Sequence, residues 1–597
     1  MKYYCNPVNI DYRYQFLANV QTGEVDQIGR EAADPSMIFF NGRYYIFASM
    51  QLSVWVSDDL VHWESRRLPD DLPLYDYAPD VCRVGDYVYV CASRRDEICD
   101  FYRTKDILNG PYEKLPGSFD FWDPHMFCDD DGRVYFYWGC SNVTPIWGVE
   151  LDTETMLPKS ERQVLISGDP FNRGYERNGD DHCLAPRTDE EAEAMFQAAL
   201  KARGMTEDML PEGLRATARG IFTNRPYIEG PWMNKHNGRY YLQYASPGTQ
   251  YNVYNDGVYE GPTPLGPFTP AKNNPYSYKP GGFMTGSGHG STAYDRNGQL
   301  WHVSTMQISK NFNFERRVGL WKAGFDADGE LFCDQRYGDW PAAADSGEPF
   351  CDPDWYLLSY GKPVTASSFE EGREPALAAD ENAMTWWRAA CAGPGEWILL
   401  DLEKCMDIRA IQINFADEGI DVATPGELRP TSQPRYIDEN TGRTRWLLEA
   451  SCDGMAWTVI ADKTQADTDL PHDFLVFEDG ISFRYLKLTV TEVPYGQNPC
   501  ISGLRVFGKG DGKSPASPAF TADRTSPMDM TVTMEAEGAT GFNILWGSSP
   551  DKLYHSCMVF GKNTCSIGAL VNGQSYAVRV DAFNENGITH AGSCLYV

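Results

Sequence analysis

Positive charge is scarce in this chain. Its 597 residues carry 52 Lys and Arg against 84 Asp and Glu, a formal net charge of −32. Such a surface repels nucleic acid and anionic membranes alike, so neither is expected as a partner. Long apolar runs are lacking as well: no stretch of 18 apolar residues occurs that would span a membrane. The opening Met1-Lys2-Tyr3-Tyr4-Cys5-Asn6-Pro7 has no apolar core of a secretory signal, and a cytoplasmic protein is expected. None of the 16 cysteines stands in a C-x-x-C pair. Several of them (Cys82, Cys91, Cys128, Cys140) fall in apolar strand-like runs, so buried free thiols are expected rather than disulfides or zinc.

Helical signal is sparse too. It is confined to about 168–222, where Thr188-Asp189-Glu190-Glu191 reads as a capping box. Ala192, Met195, Phe196, Ala199 and Leu200 then form an apolar face, and a second short helix is expected over Thr206–Leu214. A lid over a binding site and a subunit contact are both compatible with such an insertion.

What the chain has in abundance is a repeated phrase. A polar entry, an apolar run, a glycine turn and an aromatic strand recur five times before residue 335. The entries are Ala33-Asp34-Pro35-Ser36, Ala78-Pro79-Asp80, Trp122-Asp123-Pro124-His125, Ile228-Glu229-Gly230-Pro231-Trp232 and Gly288-His289-Gly290-Ser291. The turn glycines follow at Gly42, Gly85, Gly132, Gly238 and Gly298. Hairpins repeating at about 45 residues mark a β-propeller with one blade per repeat, here five. In that fold the starts of the innermost strands gather around the central channel. Aligned on the turn, the entry position holds Asp34, Ala78, Asp123, Glu229 and His289. Three acids and a histidine would meet at one mouth of the axis. Asp129-Asp130-Asp131-Gly132 and Asp326-Ala327-Asp328-Gly329 fit hairpin turns better than calcium loops.

Acids placed in this way suit hydrolysis of a glycosidic bond. One carboxyl protonates the leaving oxygen, and another, about 6.5–9.5 Å from the first, activates a water that fits between them. The five entries, in this order, resemble glycoside hydrolase family 43 over about residues 30–335. The resemblance implies an inverting mechanism with Asp34 as general base and Glu229 as general acid. Asp123 would orient Glu229 and raise its pKa. His289 matches an axial histidine that in some members holds calcium through water, and Arg316 of Glu315-Arg316-Arg317 matches a pocket arginine. Asp80, Trp122 and Trp232 are further candidates for the substrate site. No cofactor is required, a structural Ca2+ aside. Two departures from the family pattern stand out: the long approach from Asn6-Pro7 to Asp34, and the 168–222 insertion.

Beyond residue 350 the texture changes. Ala376-Leu377-Ala378-Ala379-Asp380, Thr385-Trp386-Trp387-Arg388, Trp397-Ile398-Leu399-Leu400-Asp401-Leu402 and Ile501-Ser502-Gly503-Leu504-Arg505-Val506-Phe507-Gly508 are short strands of a β-sandwich. Over 356–508 they resemble a discoidin-like (coagulation factor type C) domain. A Gly/Ser/Pro linker near 510–518 leads to 515–597, where Tyr576-Ala577-Val578-Arg579-Val580 resembles a fibronectin type III sandwich with Tyr576 as tyrosine corner. Its usual role is spacing or docking, so its removal should spare small-substrate turnover. The expected chain is thus all-β: a five-bladed propeller over 1–350 with a helical insertion, then two sandwiches. The expected activity is exo-acting, inverting release of terminal α-L-arabinofuranose or β-D-xylose from plant polysaccharide fragments. A β-D-galactofuranosidase and a non-catalytic carbohydrate-binding propeller are the alternatives.

Overall fold

The computed structural model describes residues 1–73, 76–94, 97–308, 314–347, 349–440 and 442–597. Strands dominate, and the five repeats each form an antiparallel sheet, four-stranded except the fourth, which has five. The first sheet comprises Ser36–Phe40, Arg43–Phe47, Ser53–Ser57 and Trp63–Arg67. The others open with Asp80–Val84, His125–Cys128, Ile228–His236 and Thr285–Tyr294. Each opening strand touches that of the next sheet, and the fifth returns to the first, so the sheets close into a ring. The fourth sheet gains a strand from between the second and third strands of the third repeat: Cys140–Ser141 pairs with Ile228 and Glu229, with Cys140 directly opposite Glu229.

The ring is stapled by side-chain hydroxyls. Ser49, after the second strand of the first sheet, accepts the Ala78 N–H at 2.8 Å. Ser93 accepts the Asp123 N–H at 2.9 Å, and Thr305 of the fifth sheet accepts the Asp34 N–H at 2.8 Å. The last of these joins the end of the ring to its beginning. Each staple satisfies a buried N–H that the sheets themselves leave without a partner.

The insertion after the third sheet carries two helices. Helix α1, Asp189–Ala202, starts at the expected capping box: the Thr188 hydroxyl accepts the Glu191 N–H, and Glu191 accepts the Thr188 N–H. Ala192, Phe196 and Leu200 are buried, but Met195, expected on the same face, is exposed. Helix α2 spans Glu212–Gly220, not Thr206–Leu214. Pro211 explains the difference, because it has no N–H and cannot continue a helix through its position; Glu207–Met209 is only a 3-10 turn.

Residues 356–509 form one eight-stranded sheet that wraps its own core of Trp387, Ile398, Leu400, Trp446, Leu486 and Leu488. Residues 519–596 form a three-stranded and a five-stranded sheet. The Tyr576 hydroxyl accepts the Val571 N–H at 3.1 Å. Neither region hangs from a free linker. Met530, Val532 and Trp546 share one apolar cluster with Tyr175, Leu242 and Tyr278 of the ring and its insertion. Arg505 donates to the Asp339 carbonyl at 2.7 Å.

The long approach to Asp34 has a structural purpose. Tyr14–Ala18 and Val25–Arg30 pair as a hairpin, and Arg435–Ile437 from the second region adds a third strand to it.

Candidate active site

The opening of each repeat imposes the same backbone turn. Asp34, Ala78, Asp123 and His289 have φ near +50°, the left-handed region that L-residues enter at a cost of about 1–2 kcal/mol. In the fourth repeat the equivalent residue is Gly230 at φ +56°, not Glu229. Glu229 therefore sits one position earlier, in register with Tyr77 and Trp122. A Cβ on Gly230 would also lie 2.5 Å from the His289 ring, so only glycine fits. The glycines beside His289 make room for protein rings rather than for a ligand. Gly288 packs on the Tyr254 ring, and Gly290 packs on His302.

Asp34, Asp123 and His289 of these turns, with Glu229 beside Gly230, line one cavity of about 340 Å³. It is lined by Asp34, Tyr77, Trp122, Asp123, Cys140, Tyr227, Glu229, Gly248, Thr249, Gln250, His289, Phe314 and Arg316. Five of the expected site residues besides Asp34 are among them: Asp123, Glu229, His289, Arg316 and Trp122. Two expected residues are not. Asp80 is buried behind the wall, where it takes His125 Nδ1 at 2.9 Å and the Met126 N–H at 2.7 Å, bracing the third sheet. Trp232 is buried too, donating to the Thr292 carbonyl at 2.9 Å and lying 4.1 Å from the His125 ring. The polar atoms of both are used inside the protein. Of the adjacent arginines, Arg316 faces the cavity, while Arg317 turns away to His472 at 2.9 Å. No residue of α1 or α2 lines the cavity.

The acids fall into two electrostatic settings. Burial alone would raise the pKa of Asp34. The Arg316 guanidinium at 3.5 Å, His289 at 3.3 Å and the Ser49 hydroxyl at 2.6 Å outweigh it and hold the carboxyl below its ordinary value. Asp123 is the opposite case. Burial first, then the charges of Glu229 and Asp34, push it up to about 7 against the opposing effect of His289. Oxygens of Asp123 and Glu229 and the Cys140 sulfur lie within 4.8 Å of one another. The thiol donates to Glu229 Oε2 at 3.2 Å, and the Tyr254 hydroxyl donates to Oε1 at 2.5 Å. Asp123 therefore keeps its proton up to about neutral pH, while Asp34 stays ionised.

His289 carries charge readily. Burial disfavours it, but Asp34, Asp123, Glu229 and Asp256 together raise its pKa. No step below runs through a calcium ion at His289.

Sequence reasoning missed Glu31, Tyr77, Cys140, Tyr227 and Tyr254. Tyr77 had a signal, since it immediately precedes an entry, as Trp122 does. Cys140 had none, because its place depends on a strand pairing 89 residues away.

An acid held ionised and a neighbouring acid that keeps its proton, in one aromatic-walled cavity, suit glycoside cleavage. Comparison with known proteins agrees. The model of the glycosyl hydrolases family 43 matches residues 28–183 and 175–331, which together cover just over half the chain, and the chain belongs to that family. It is 27% identical over 281 residues to a xylosidase/arabinosidase 43A of Humicola insolens, covering 40% of this chain and 78% of that protein. A xylosidase/arabinosidase of Bacteroides ovatus is 26% identical over 277 residues, 40% and 77% of the two chains. A beta-xylosidase of Xylanibacter ruminicola is 25% identical over 276 residues with the same coverage.

Proposed function

We propose that this protein is an exo-acting, inverting glycosidase that removes terminal xylose or arabinofuranose from oligosaccharides. The ring of five sheets is a five-bladed β-propeller, and the two following regions are a discoidin-like and a fibronectin type III-like sandwich. Asp34 is the general base that takes a proton from the attacking water. Glu229, only half-buried, is the general acid that protonates the leaving oxygen. Cys140 holds Glu229 in place, and Asp123, which keeps its proton up to about neutral pH, holds a proton beside it. Trp122, Tyr77, Tyr227 and Phe314 offer apolar faces to the sugar ring.

One observation carries this reading: two acids of the cavity, both within 4 Å of His289 Nδ1, hold their protons oppositely. Asp34 lies below its ordinary pKa, whereas Asp123 lies near 7 beside Glu229. The sugar follows from the names of the relatives, which specify xylosidase and arabinosidase activity.

Early-time proton NMR of aryl xyloside and arabinofuranoside hydrolysis tests it. The first sugar released should carry the inverted anomeric configuration. Retention would mean a covalent carboxylate intermediate and overturn the assignment of Asp34. Turnover of aryl galactofuranosides alone would replace the sugar, and no turnover of any glycoside would leave a carbohydrate-binding propeller.

A further inference from the structure

Behind Asp34 the line of charge does not stop at Arg316. The Arg316 guanidinium also pairs with Glu31, its Nε lying 3.2 Å from Oε1. The other oxygen of Glu31 is 3.0 Å from Nη1 of Arg435. The Glu31 and Arg435 side chains are both 0% exposed. Arg435 uses the rest of its fork as well: Nη1 donates to Gln15 Oε1 at 2.6 Å, and Nη2 donates to the Tyr77 hydroxyl at 2.6 Å. Tyr77 is a wall of the cavity. Arg435 belongs to the second region, 404 residues from Glu31 in sequence. The hairpin strand fixes its position, pairing Leu17 with Arg435 and Gln15 with Ile437.

We propose that Arg435 is a positioning residue for the hydrolytic site, supplied by the second region. This inference rests on Asp34 being the general base. The four groups Asp34, Arg316, Glu31 and Arg435 alternate in charge and sum to zero. With Arg435 in place, the charge of Glu31 is shared, and Arg316 remains available to Asp34. Without it, Glu31 is compensated only by Arg316, the group carries a net negative charge, and Asp34 ionises less readily. Tyr77 also loses the donor that holds its hydroxyl. A bidentate guanidinium suits both tasks better than an ammonium.

The test uses the full chain and pH profiles of kcat/KM. Arg435→Met should lower kcat about ten- to a hundredfold through misplacement of the base and Tyr77. It should also move the acidic limb to higher pH. Arg435→Lys keeps the charge and should restore the limb while regaining only part of kcat. Glu31→Gln with Arg435→Met removes both buried charges, which protects folding if the single variant is unstable. This double variant leaves Asp34 and Arg316 as a neutral pair, so its limb should return to the wild-type position. A folded Arg435→Met enzyme with wild-type kcat and an unmoved limb overturns the proposal, as does a double variant whose limb stays shifted. Asp34→Asn separates the two levels. If it remains active, the assignment of the base fails; if it is inactive while Arg435→Met behaves as wild type, only the role of Arg435 fails.

Discussion

At the scale of single residues, the site depends on where a proton is kept. Asp123 titrates near 7 because it is buried beside Glu229 and Asp34. Asp123→Asn leaves a single acid where two carboxyls stood side by side, so the proton held there should be lost at lower pH. The basic limb of the pH–rate profile should then move down, while the acidic limb, which reports Asp34, stays. Loss of activity with both limbs fixed would mean that Asp123 only holds its neighbours in place. Glu229→Gln should damage oligosaccharide hydrolysis far more than hydrolysis of activated aryl glycosides, whose leaving groups need little protonation. Equal losses on the two would deny it the acid role. Asp34, Asp123, Glu229 and His289 were legible because each belongs to a phrase that recurs at fixed distance from a turn glycine. The phrase placed Glu229 one residue off, since counting to the turn does not see that φ must be positive at Gly230. Tyr254 and Glu31 were invisible, because each acts through a partner distant in sequence.

At the scale of elements, the hydroxyl staples between sheets are the part most open to test. Ser93→Ala would leave the Asp123 N–H buried without an acceptor, at a cost of about 1–3 kcal/mol. A melting temperature several degrees lower, with the catalytic pH limbs unmoved, is the expected result. An unchanged melting temperature would mean that the ring is held by apolar packing alone. The strands themselves were readable from alternation and turn glycines, and α1 from its capping box. The staples were not, since a serine after a strand looks like any loop residue. The start of α2 was misplaced for a different reason: composition favoured a helix through 206–214, and the single missing N–H of Pro211 overruled it.

At the scale of the whole molecule, the three regions share buried contacts that their separate sequence textures do not announce. The Tyr278 ring lies 5.9 Å from that of Trp546, and Gly174 donates to the Leu570 carbonyl at 2.8 Å. Removing 512–597 would uncover several large apolar side chains, each worth about 1.5–3 kcal/mol when buried. The truncated protein should melt at lower temperature and aggregate, contrary to the independence that the Gly/Ser/Pro stretch near 510 suggested. A monodisperse truncation with the parent melting temperature and aryl-glycoside turnover would restore the modular picture. Boundaries between regions were legible from composition. The packing between them was not, because apolar residues that face another domain look the same in sequence as those that face their own core.

Glu31 and Arg435 also set a clock. A ribosome adding about 5–20 residues per second needs roughly 20–80 seconds to travel from the first to the second. By the end of that interval the nascent chain has the acids proposed as base and proton donor, but not the group proposed to poise them. Competence then arrives late in synthesis, and products of premature termination before residue 435 would be poor catalysts even where their ring had closed.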